Sequence, residues 1–226
     1  VALTQGTTAI GSQDSGTSHT ISITAASGCT LFRVAVVVPS GIAVTCSSSV
    51  NGSFGTEYAR ATNGASIDIV IFKLVSPTAG AHTLTVTTDS STVAASRCTQ
   101  FTGGDTTTPL GTAYTTTGNG TAISGTAIDS ANGDIVLDDW GYNVGGQSPT
   151  PGTGQTEDTF SSNGNFDIRL RGSHEAATGS STVMSWTTTS TLQWAQVTTT
   201  VKAAAAAPTF PTEFFKIEKV LIVKKK

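Results

Sequence analysis

A period of two runs through this chain, interrupted by turn residues. Residues 19–25 (HTISITA) alternate about Ile21 and Ile23. Such alternation sends successive side chains to opposite faces of a pleated strand, whereas a helix repeats its apolar residues at three and four. Residues 30–38 (TLFRVAVVV) are almost continuously apolar instead. That pattern predicts a central strand buried on both faces. Pro39-Ser40-Gly41 stops it, and residues 42–50 alternate again with Cys46 on the face of Ile42 and Val44. Asn51-Gly52 then supplies the positive φ of a tight hairpin turn.

Residues 65–75 (ASIDIVIFKLV) put Ile67, Ile69, Ile71 and Lys73 on one face and Asp68, Val70, Phe72 and Leu74 on the other. The turn Pro77-Thr78-Ala79-Gly80 follows, and residues 81–88 alternate Leu84 and Val86 with threonines, which predicts a long β-hairpin. Further strands are expected over 91–101, 121–128, 133–139, 166–171, 182–188 and 192–201. Gly, Pro, Thr and Asn clusters separate them, the longest over 141–159. Ten to twelve strands without an amphipathic helix predict an all-β fold, an antiparallel β-sandwich with a body over 1–202. No repeat of fixed period points to a solenoid or propeller.

Composition supports this class. Thr contributes 42 residues, Ser 25 and Gly 24, while charged residues reach only 12%. A helical bundle needs Ala, Glu, Lys and Leu in bulk, and a disordered chain needs fewer Val and Ile than this one has. Threonine suits the outward face of a strand, where its β-branch fits the backbone and its hydroxyl meets water. Residues 1–202 carry 7 basic and 13 acidic side chains, a net of −6, which argues against nucleic acid as a partner. No run of 18 apolar residues and no basic-then-apolar leader occurs, so a soluble or assembled protein is expected rather than an integral one.

The tail, residues 203–226, differs from the body. Five alanines and the prolines Pro208 and Pro211 lead into FFKIEKVLIVKKK, and the segment has a net charge of +3. As a strand it aligns Phe215, Ile217, Leu221 and Val223, interrupted by Lys219; as a helix it aligns Phe214, Ile217, Val220, Leu221 and Lys224. The prolines and β-branched residues favour an extended arm. Termini fray unless held. The arm is therefore expected to bind a neighbouring subunit or partner through Phe210, Phe214, Phe215, Ile217, Val220, Leu221, Ile222 and Val223; the alternative is that it completes its own sandwich.

Residues able to carry chemistry are few. No GxSxG, HExxH or P-loop is present. His19, His82 and His174 lack a ligand at i+2 or i+4, and Cys29, Cys46 and Cys98 lack the CxxC spacing, so no metal and no cofactor is expected. The cysteines read as small buried hydrophobes, although one pair can still be a disulfide. Asp134, Asp138, Asp139, Glu157 and Asp158 read as a solvated strand end and turn, with calcium binding and acid–base work on a glycosidic bond as alternatives. Trp140 and Tyr142 open the longest loop. An exposed aromatic pair there would stack on a sugar ring, whereas a packing anchor is the plainer role. Trp186 and Trp194 read as core. The sequons at Asn51 and Asn119 are expected by chance among so many Ser and Thr.

In order along the chain, SGTSHTISI, LFRVAVVV, SVNGS, IDIVIFKLVSPTAGAHTLTVT, QFTGGDTTTPLG, DIVLDDW and VMSWTTTSTLQWAQVTTTVKAAA resemble a jelly-roll-like β-sandwich domain of tailed-phage virion proteins and some bacterial exported proteins. The resemblance spans most of residues 10–206. It implies a structural or adhesive module without catalytic residues. Cys29, Cys46 and the Phe- and Lys-rich tail depart from the family pattern. On this reading the chain is a capsid-decoration or tail/fibre protein on the virion surface, a homo-oligomer whose partners are other virion subunits. Two alternatives remain: a secreted or cell-surface adhesin that binds host-surface glycan at Trp140 and Tyr142, and a secreted hydrolase using Asp134, Asp138 or Asp139.

Overall fold

The computed structural model describes residues 1–205 except 13, 65, 145, 160 and 163–167. The described residues form strands and turns and no helix, so the chain is all-β. A middle sheet has the spatial order β1 (Thr4–Ile10), β9 (Ala95–Thr102), β3 (Cys29–Pro39), β7 (Ile67–Val75) and β6 (Ala59–Asn63). A second sheet has the order β2 (Ser15–Ala25), β8 (Gly80–Val93), β4 (Val44–Ser48) and β5 (Gly52–Ser53). A third has the order β10 (Tyr114–Ser124), β18 (Ser185–Val201), β12 (Ile135–Tyr142), β16 (Arg169–Ala176) and β14 (Thr156–Glu157). To it are added β13 (Thr150–Pro151) on β18 and β15 (Ser161–Ser162) on β16, while β11 (Ile128–Asp129) and β17 (Ser181–Thr182) pair with each other. Every pairing between these strands is antiparallel.

The sandwich has three layers because the middle sheet is apolar on both faces. Phe32, Val34, Val36 and Val38 of β3 join Val70 and Phe72 of β7 against Ile21, Ile23, Val44, Cys46, Leu84 and Val86 of the second sheet. The intervening residues Ala35 and Val37, with Ile67, Ile69 and Ile71, pack on Leu170, Ala195 and Val197 of the third sheet. Leu31 and Phe101 meet Leu137 and Val201 alongside. Each aliphatic side chain so buried contributes roughly 1.5–3 kcal/mol. A strand apolar on both faces has no other stable position.

The same rule corrects one expectation. Residues 67–75 and 80–93 do not form a hairpin: β7 pairs β3 and β6, while β8 pairs β2 and β4. Strand β7 is covered on both faces and takes the middle layer, whereas β8 alternates and takes an outer one. Ser76, at φ 51°, turns the chain out of the middle sheet, and its N–H donates to the Thr30 carbonyl at 2.9 Å. The Asn51-Gly52 turn does form a hairpin, between β4 and β5, with Gly52 at φ 73°.

In the third sheet, pairing jumps from Gly120↔Leu192 to Ala122↔Thr187. There β10 and β18 bend together, and their far ends fold back over the outer face of their own sheet. This brings Trp186 onto Trp140, with ring centroids 5.6 Å apart. The inner face lies against the middle sheet with little clearance. A Cβ on Gly141 would stand 2.6 Å from a Val37 methyl, and one on Gly172 would stand 2.0 Å from the Arg97 guanidinium and 2.3 Å from the Asp138 carbonyl. Gly172→Ala is therefore expected to lose about 1–3 kcal/mol by overpacking, seen as a lower urea midpoint. Gly179→Ala, with nothing within 4 Å of its Cβ, is expected to stay within about 0.5 kcal/mol of the parent.

Candidate functional site: the carboxylates of the third sheet

The acidic cluster read from the sequence divides across the sheet. Successive residues of a strand point to opposite faces, so Asp138 and Asp139 of β12 face away from each other. Both are fully buried, and Asp158 is nearly so. This corrects the expectation of a solvated strand end for these three. Asp134 does serve a turn: its Oδ2 accepts from the Ala131 N–H and its Oδ1 from the Ala203 N–H, each at 2.9 Å. Glu157 lies at the surface, paired with Arg171.

Asp139 faces the middle sheet, where Arg33 of β3 and Arg97 of β9 both form ion pairs with its carboxylate. The Arg33 Nε donates to Thr199 Oγ1 at 2.9 Å. Arg97 also reaches Asp158 Oδ2 at 3.3 Å. Asp158 Oδ1 accepts from Gln5 Nε2 and lies against His174 Nδ1, each at 2.7 Å. Desolvation pushes the Asp158 carboxyl up, but the His174 hydrogen bond, the Arg97 and His174 charges and the Gln5 donor outweigh it and hold it below the usual range. Arg97 is held above its ordinary value because Asp139, Asp158 and Asp138 outweigh its own desolvation. The network thus runs from a dry centre to the half-exposed His174.

Asp138 faces outward into a second buried pocket of donors. Its Oδ1 accepts from the Ser173 N–H at 2.8 Å and the Ser173 hydroxyl at 2.7 Å. Its Oδ2 accepts from Trp186 Nε1 and Gln196 Nε2, both at 2.7 Å. Gln196 is oriented in turn by the Thr116 hydroxyl, which donates to its Oε1 at 3.1 Å. Desolvation is the strongest influence and pushes the Asp138 carboxyl up to about 6, against the pull of these four donors.

This geometry bears on each proposed chemistry. Two carboxylates on opposite faces of one sheet cannot flank a glycosidic bond. Donors around Asp138 and guanidinium groups around Asp139 and Asp158 present positive charge where a calcium ion would sit. No group of three or more His, Cys, Asp or Glu among the described residues is placed to hold a metal ion.

Trp140 and Tyr142 lie in β12 rather than in a loop, stacked at 4.7 Å and fully buried with Trp186, Leu192 and Trp194. The exposed-pair expectation is corrected: neither ring offers a face to a sugar. The back-folded ends of β10 and β18 supply the cover. His19 is buried among core residues of β2, and burial lowers its pKa. His82 is held between Ser48 Oγ at 2.8 Å and the Thr78 carbonyl at 2.6 Å. The three cysteines are free, buried thiols. Burial raises all three, Cys46 to about 12, which suppresses their reactivity.

The arm residues Phe210, Phe214, Phe215, Ile217, Val220, Leu221, Ile222 and Val223 lie outside the described residues. The chain reaches them at the end of β18. There Ala203 bridges Gly104, and the Ala204 N–H donates to the Gly103 carbonyl at 3.1 Å. A groove of about 480 Å³ beside this point is lined by Val1, Leu3, Ile135, Ala176 and Ala203–Ala205.

Sequence reasoning missed Arg33 and Arg97 as partners of the acidic cluster. One signal was present: a guanidinium inside the apolar run of residues 30–38 demands a buried counter-charge. Compared with protein-family models, curated proteins and solved structures, the chain matches none.

Removing the Asp139 charge leaves the Arg33 guanidinium buried without a counter-ion and Arg97 with Asp158 alone, so Asp139→Asn is expected to cost about 3–5 kcal/mol in urea unfolding. Thr199→Val, which removes one hydrogen bond from Arg33, is expected to cost about 1 kcal/mol. Asp138 gives a distinct pH signature. Its folded pKa of about 6 lies above the 3.8 of a free carboxyl, so the native state binds more protons between these values. Its stabilising contribution is complete below pH 3.8 and is lost as pH rises through about 6, a change of about 3 kcal/mol. Asp138→Asn removes that slope, and the difference between the two proteins' urea midpoints across this window measures it.

Proposed function

We propose that this chain is a non-catalytic structural protein of a virion, a capsid-decoration or tail/fibre component of the tailed-phage kind that its segment order resembles, and that it joins neighbouring subunits through the arm over residues 203–226. The observation that carries the reading is the inward orientation of the body's reactive side chains. Asp138, Asp139, Asp158, Arg33 and Arg97 are used to hold layers together, and the three thiols are enclosed in a core. The exposed positions of strands such as β2, β8 and β10 are dominated by Thr, Ser and Gly. Such a surface suits many weak lateral contacts better than one reactive cleft.

The arm fits the same role. Its apolar residues and net charge of +3 contrast with the body's −6, so attraction between the arm of one subunit and the body of the next favours assembly. Burial of Trp140 and Tyr142 deprives the glycan reading of the residues that suggested it.

The test compares the full chain with one ending at Ala205, by light scattering and by binding to virus particles lacking the protein. The full chain is expected to coat particles or to form assemblies larger than those of the shortened chain, and the shortened chain to fold with the same melting profile and leave particles uncoated. Particles whose mass spectrum never contains this protein would sink the virion assignment.

A further inference from the structure

The third sheet ends in a strand whose outer edge is open. β10 pairs β18 on one side only, and Thr115, Thr117, Asn119 and Thr121 are exposed. In an antiparallel pair every second residue turns its N–H and C=O away from its neighbour, so an edge strand offers a row of unpaired donors and acceptors. Proteins ordinarily blunt such an edge with a charge, a proline, a bulge or a short strand. The other edges among the described residues follow this practice. β1 is bulged between Gln5 and Thr8; β2 is bulged between Gly16 and Ser18 and covered at Thr20, whose C=O accepts from the Ser12 N–H and whose N–H donates to the Ser12 hydroxyl. β6 carries Arg60, and β5, β14 and β15 have two residues each. β10 is bulged only near its far end, between Gly120 and Ala122; it has no charge and no proline over its 11 residues, and its register is regular from Tyr114 to Gly120.

We propose that β10 is the surface through which two copies of this chain pair, edge to edge and antiparallel, so that their third sheets become continuous across a two-fold axis. Charge favours a second copy there. The body carries a net −6, yet neither β10 nor the β18 strand behind it contains a charged residue, so two acidic bodies meet along their neutral strands. The sequence is also self-complementary. Pairing about Thr117 sets Thr117 against its own copy, Thr116 against Gly118, Thr115 against Asn119 and Tyr114 against Gly120. Cross-strand Thr pairs stabilise a sheet, and an aromatic ring laid across a glycine covers the backbone that glycine exposes. A two-fold contact of this kind is closed and stops at two copies.

Light scattering on the full chain and on its Thr117→Lys variant across a dilution series tests the pairing. Thr117 is exposed, and the substitution places two ammonium groups face to face across the axis. The expected result is a wild-type particle of an even number of chains and a variant of half that mass with an unchanged melting profile. A monomeric wild type, or a variant of unchanged mass, overturns the proposal; the latter leaves assembly through the arm standing. Should the variant fail to fold, amide exchange in the wild type decides. Exchange over residues 114–120 is expected to slow as concentration rises, and exchange that ignores concentration while the mass changes overturns the pairing.

Discussion

Two guanidinium groups from the middle sheet close on one carboxylate of the third, and the stacking of these two layers depends on that contact. Taking Arg33, Arg97 and Asp139 out of water costs several kcal/mol per ion, which only close geometry and additional hydrogen bonds offset. The fold supplies both. Thr199 accepts from Arg33, Asp158 extends the network from Arg97, and Gly172 leaves the space that the Arg97 side chain fills. Apolar sheets packed by Val, Ile and Leu alone have many nearly equivalent alignments. A directional contact among fixed charges selects one of them, and Gly141 against Val37 shows how closely the selected alignment fits.

Neighbouring positions on β12 illustrate how environment decides chemistry. Asp138 and Asp139 are adjacent in sequence and equally buried, yet one faces neutral donors and the other faces cations. For Asp138 desolvation prevails and the carboxyl moves up to about 6. A shifted carboxyl is often taken to mark a catalytic centre. Here it lies beneath Trp186, enclosed by the returning ends of β10 and β18, and its four donors bind together strands β12, β16 and β18. Its role is to fasten the cover to the sheet.

Strands whose signal comes from burial were legible in the sequence. β3 and β7 declare themselves by apolar residues on both faces, β2 and β8 by alternation, and the Asn51-Gly52 turn by its backbone requirement. What the pattern did not reveal was the layer to which each strand belongs. A Pro-containing link between two apolar runs reads equally as a hairpin or as a crossing between sheets, and only the two-sided burial of β7 separates them. The candidate residues were legible as types but not as environments. Asp138, Asp139 and Trp140 look like the rim of a loop in DDWGY, because the cover over them comes from residues 122–125 and 185–187, about fifteen and forty-five positions away along the chain. Burial produced by such distant segments has no local period.

β1 and the first part of β10, residues 114–120, escaped the sequence reading for the opposite reason. TTTGNG contains no large apolar residue, so nothing in it alternates between core and solvent, and its strand character is supplied by pairing with β18. A strand that contributes little to the core is held mainly by its backbone hydrogen bonds, and on an edge half of those are unmade. The absence of periodicity that hides β10 from pattern analysis is thus the same property that leaves its outer side open. In an acidic body with its reactive groups turned inward, this neutral edge is a described surface that core formation did not use, and the pairing proposed for β10 rests on that.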